Sequence, residues 1–93
     1  MTFEETCEHV ADEIRTLLNT YIGTKPANEA SCESLRSNVL GYLEELRLVG
    51  ELYKVPTVKV EHEGPFVTIN FLDKEGNRLE TLPDMLEYMS NPN

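Results

Sequence analysis

Cations are scarce in this chain. Its 93 residues carry 8 Lys+Arg against 17 Asp+Glu, a formal net charge of −9. Nucleic-acid binding relies on Lys and Arg to neutralise phosphates, so this balance argues against direct contact with DNA or RNA, and equally against an anionic membrane surface. It leaves positively charged protein surfaces open as partners. Long apolar runs are also missing, and none approaches the roughly 20 residues that cross a bilayer. The first ten residues, MTFEETCEHV, are acidic and have neither the basic start nor the apolar stretch of a secretory signal. A cytoplasmic, non-secreted protein is expected.

The residues that carry chemistry are sparse as well. Of two cysteines, Cys7 and Cys32, both fall in helical stretches, so buried reduced thiols are expected. A disulfide would need an oxidising compartment and about 5.5 Å between their Cα atoms. Cys7 and His9 are two residues apart on a helix, so they point to different faces and cannot share a metal. His62 has no neighbour at metal-ligand spacing. Ser31 and Ser34 have no His–Asp partners at readable spacing, and Ser31 suits a helix start. The five glycines are isolated, so no phosphate-cradling loop forms. The carboxylates sit at solvated positions, against paired acid–base work. The expectation is a non-enzymatic protein with no catalytic residue, metal site or cofactor.

What is present is strong periodicity. Thr2 and Glu5 have the spacing of a capping box, and Phe3, Cys7, Val10, Ile14, Leu17, Leu18 and Tyr21 then share one helical face. This predicts a helix over about residues 3–22, stopped by Gly23 and Lys25-Pro26. Asn28 caps a second helix over about 29–49, with Leu35, Val39, Tyr42, Leu43, Leu46 and Val49 as its buried stripe and Gly50 as its stop. Gly41, inside it, costs about 1 kcal/mol relative to Ala, which a close packing approach would explain. A short corner joins the two helices into a hairpin.

The period then changes from 3.6 to 2. Strands are predicted over about 54–62, 66–72 and 78–82, with Glu63-Gly64-Pro65 and residues 73–77 as turns. Val58, Val60, Val67, Ile69 and Phe71 face the helices, while Pro56 and Lys59 suit a sheet edge. Pro83 opens a short helix over about 83–89 bearing Met85, Leu86 and Met89. The expected fold is one α+β domain over 1–93: a two-helix hairpin packed on a three-stranded antiparallel sheet, with a short C-terminal helix.

Two surfaces are candidates for binding. Glu4, Glu5, Glu8, Asp12 and Glu13 form an acidic face on the first helix, whose spacing resembles a row of phosphates. Thr57, Lys59 and Glu61 mark the sheet edge, where a partner's strand could add. Lys59 equally fits a guard against such pairing.

Lys25-Pro26-Ala27-Asn28, then Val39, Tyr42, Leu43, Leu46, Gly50, Leu52 and Tyr53, then Val58 and Val60, follow a pattern of their own. Through them the stretch from Ile22 to Leu72 resembles the C-terminal domain of contractile phage tail sheath proteins. It departs from that family where Val60-Glu61-His62 follows the strand and where Thr81-Leu82-Pro83-Asp84 stands near the C-terminus. The resemblance implies a tail or baseplate-type structural component of a virion, joined to itself or to another virion protein by strand exchange. The charge and size suggest a second reading, a small acidic phage-encoded inhibitor of anti-CRISPR or nucleic-acid-mimic type that binds a basic nucleic-acid-handling host protein.

Overall fold

The computed structural model describes residues 2–24 and 27–92. Its elements are helices α1 (Phe3–Thr24) and α2 (Glu29–Val49), strands β1 (Thr57–Glu63) and β2 (Phe66–Leu72), and helix α3 (Leu82–Met89). The fold is α+β, with a two-stranded antiparallel sheet. None of the described helices is long and apolar enough to cross a membrane.

Local chemistry accounts for most of the boundaries. The Thr2 hydroxyl accepts from the Glu5 amide at 3.2 Å, and Glu5 Oε1 accepts from the Thr2 amide at 3.4 Å, so the capping box forms. α1 runs through Gly23 to Thr24, two residues beyond the expected stop; Lys25-Pro26 lies outside the described residues. Asn28 and Ser31 cap α2 reciprocally. Thr81 caps α3, accepting from the Asp84 amide, with Pro83 in its first turn.

α2 carries the core. Leu35, Val39, Leu43 and Leu46 are each no more than 1% exposed. The first three pack with Val58 and Met85, and Leu46 packs with Cys7, Val10 and Met89. α1 lies along one side of α2, tied by the 2.6 Å Tyr21–Ser34 hydroxyl contact, and β1 lies against another. Two members of the expected stripe differ: Tyr42 is half-buried and Val49 is 51% exposed. Gly41 is exposed, with nothing within 4 Å of where its Cβ would stand, so no close approach explains it.

The end of α2 shows two constraints in conflict. The Leu52 amide donates to the Arg47 carbonyl and the Glu51 amide to the Leu48 carbonyl, a Schellman closure. That closure needs one left-handed residue, and it is Glu51, at φ 53, not the adjacent glycine. Gly50 is used otherwise: the Phe3 ring lies where its Cβ would be.

The third strand expected over 78–82 does not form; it is reduced to one bridge, Leu72 with Arg78. Only three residues separate Arg78 from Leu82, where α3 begins, and Thr81 is committed to the α3 cap. β1 likewise starts at Thr57, not 54. Thr57 already pairs with Leu72, the last residue of β2, and the Tyr53 amide is taken by the Met89 carbonyl at 2.9 Å. Pro56, which has no amide proton, precedes the strand. In the turn after β2, Asp73 Oδ1 accepts from the Asn77 and Glu75 amides, both at 2.9 Å, and these bonds hold its carboxyl below the usual carboxylate range.

Glu51→Gly is expected to stabilise the protein by about 0.5–1 kcal/mol in urea unfolding. Relief of a left-handed conformation that costs roughly 1–2 kcal/mol outweighs the extra chain entropy of glycine. A loss of stability would show that the Glu51 side chain contributes more than its backbone strain removes.

Candidate functional site

The β1–β2 ladder decides what the sheet offers a partner. Gly64, at φ 58, and Pro65 form a two-residue turn, and Glu63 pairs with Phe66. Glycine supplies the positive φ and the proline ring supplies the next negative one, so the register is set at the turn. From there Glu61 pairs with Thr68, Lys59 with Asn70 and Thr57 with Leu72. Side chains alternate between faces. Val58, Val60, Val67, Ile69 and Phe71 therefore share the helix-facing side, as expected, and His62 lies on the same side. Thr57, Lys59, Glu61, Glu63 and Phe66 lie on the outer face, where Phe66 is 74% exposed.

Main-chain groups alternate too, between the two edges of each strand. On β2 the Phe71 carbonyl accepts from the Leu79 amide at 2.8 Å, and the Asp73 amide donates to Asn77 at 2.9 Å. Residues 71 and 73 thus point away from β1, and so do 69 and 67. Leu72, Asn70, Thr68 and Phe66 point towards it, onto Thr57, Lys59, Glu61 and Glu63. On β1 the residues whose N–H and C=O face outward are Val58, Val60 and His62.

This relocates the edge. Thr57, Lys59 and Glu61 are exposed, and Lys59 Nζ meets Glu61 Oε1 at 2.9 Å, but their main-chain groups are already bonded to β2. They flank an added strand with side chains and cannot pair with it. Val58 is only 4% exposed, so the accessible stretch is Val60 to Glu63. There α2 stands off from the strand, and a cleft of about 390 Å³ opens between Glu29, Cys32, Glu33 and Arg36 on one side and Val60 and His62 on the other. Alternation alone identifies the outer face; counting from the hairpin turn identifies the open groups.

The acidic face is less uniform than its spacing suggests. Glu4, Glu5, Glu8 and Asp12 are exposed and Glu13 is half-buried. Glu5 is engaged in the capping box and Asp12 with Arg15 at 2.6 Å. Glu13 meets His9 at 3.9 Å and the Tyr42 hydroxyl at 3.4 Å. Glu4 and Glu8 stand without an ion pair among the described residues, beside a shallow groove with Phe3, Leu82 and Leu86.

The cysteines are both buried and unbridged. Cys7 packs with Leu46, which is fourteen residues along α2 from Cys32, about 21 Å, so they cannot join. Burial, and then the Glu4 carboxylate, push the Cys7 thiol pKa up, away from the reactive thiolate. Among the described residues no group of three His, Cys, Asp or Glu could hold a metal ion. The chain matches no protein-family model, and comparison with curated proteins and solved structures returns no relative.

Lys59→Pro and His62→Pro separate the two kinds of β1 position. Lys59→Pro removes an amide bonded to Asn70 and is expected to cost about 2 kcal/mol or more. His62→Pro removes an outward amide on an exposed residue and is expected to cost about 1 kcal/mol or less. Equal costs in urea unfolding would contradict the assignment of inward and outward groups.

Proposed function

We propose that this chain is a non-enzymatic protein–protein interaction module that assembles by strand addition to the open part of β1. The observation that carries this is the outward set of main-chain groups at Val60 and His62, beside a cleft able to receive alternate side chains of the added strand. The sequence likeness to the sheath domain supports a place among phage tail or baseplate components, where the partner is another copy or another virion protein.

A second reading rests on a different observation. Glu4 and Glu8, exposed and without an ion pair among the described residues, keep part of the α1 surface strongly negative. A small acidic inhibitor would use that face against a basic, nucleic-acid-handling host protein, with binding that weakens as salt rises.

One comparison distinguishes the readings. Tagged protein is recovered with its partners from phage-infected cells as wild type, as His62→Pro and as the Glu4→Lys/Glu8→Lys double variant. Strand addition predicts that His62→Pro loses the partners and that the double variant keeps them. Loss in the double variant alone, with His62→Pro keeping the partners, favours the inhibitor reading instead.

A further inference from the structure

We infer that the strand added to β1 is a short extended segment of another protein that places a Lys or Arg against the His62 end of the edge. The inference rests on the strand-addition reading and names the partner's chemistry.

Charge around the open stretch is lopsided. Four carboxylates border it, from Glu29, Glu33, Glu61 and Glu63, against two cations. Both cations are committed: Arg36 bonds Glu33 through two nitrogens, at 2.7 and 3.0 Å, and Lys59 bonds Glu61 at 2.9 Å. Glu29 and Glu63 have no ion pair among the described residues. They flank His62 from opposite faces, Glu29 within the cleft and Glu63 on the outer face. The N-terminal end of α2 bears roughly half a positive charge, which offsets only part of one of these carboxylates. An incoming strand therefore meets unneutralised negative charge on both faces at this end.

Register then assigns positions within the added strand. In the antiparallel arrangement, the stronger of the two, the residue opposite His62 turns inward toward Glu29. The preceding residue lies opposite Glu63. The residue opposite Val60 turns inward onto half-buried apolar surface and suits a small β-branched side chain. The partner's signature is two basic residues, a spacer and a Val or Ile.

The same charges disfavour a second copy. Self-pairing through the open stretch, with Val60 opposite His62 of the other copy, sets Glu61 directly opposite Glu61 between bodies of net charge −9. Like charges directly opposite destabilise a strand pair.

The test is an NMR titration of the intact 15N-labelled protein with the probe Ac-Lys-Lys-Thr-Val-Thr-amide. Three other peptides accompany it: the Glu-Glu counterpart, and Lys-Lys versions N-methylated either at the valine or at the threonine that precedes it. In the proposed register the valine amide faces β1 and the amide of the preceding threonine faces away. The expected result is shifts centred on Val60 and His62, with affinity about 5- to 10-fold higher for the Lys-Lys probe than for Glu-Glu. Methylation at the valine should abolish binding, and methylation at the threonine should be tolerated. Glu29→Gln should erase much of the charge preference. If valine methylation abolishes binding but both charge versions bind equally, strand addition stands and the basic partner is overturned. If binding ignores N-methylation, or no peptide binds, both are overturned. A concentration-dependent dimer that protects Val60 and His62 overturns the choice of partner and favours self-pairing.

Discussion

Everything in this small protein leans on one face of α2. Leu35, Val39, Leu43 and Leu46 are almost wholly removed from water, and burial of each such side chain contributes roughly 1.5–3 kcal/mol. Removing any one of them would therefore take away a large share of the few kilocalories per mole by which a small domain is stable. The hairpin has only two strands, and an isolated hairpin is marginally stable at best. It exists because Val58 completes the α2 cluster. α3 is held in the same way, through Met85 and Met89.

From that dependence follows the character of the β1 edge. α2 seals the strand at Val58 and stands off from it at Val60 and His62, so one end of β1 is structural and the other is presented. The Gly64-Pro65 turn then decides which main-chain groups are presented. A shift of one residue in the turn would turn Lys59 and Glu61 outward and Val60 inward to β2, and would move the valines off the helix-facing side. Burial of Val58 forbids that shift, so core packing and the exposed hydrogen-bonding pattern are one constraint.

The helices and the hairpin are legible in the sequence because their signals are local. The Thr2–Glu5 and Asn28 caps, the apolar stripe of α2, the alternation in 57–62 and 66–71, and Pro83 each act within a few residues. The misses depend on contacts distant in sequence. The 78–82 stretch has strand-like composition, but α3 claims its end. Val49 fits the α2 stripe by spacing, yet lies past the last turn that the core covers. Gly50 reads as a left-handed stop, whereas the left-handed residue is Glu51, and the space beside Gly50 is taken by the Phe3 ring from the far end of the chain. At the site, alternation locates the outer face through Thr57, Lys59 and Glu61. Finding Val60 and His62 requires the pairing register, which no single strand carries in its sequence.

The measurement closest to the central claim is amide hydrogen exchange in the free protein, resolved residue by residue along β1. Slow exchange is expected at Lys59 and Glu61, whose amides are bonded to β2, and exchange at least tenfold faster at Val60 and His62. Protection of Val60 and His62 with rapid exchange at Lys59 and Glu61 would contradict the register, and with it the edge on which the functional proposal stands.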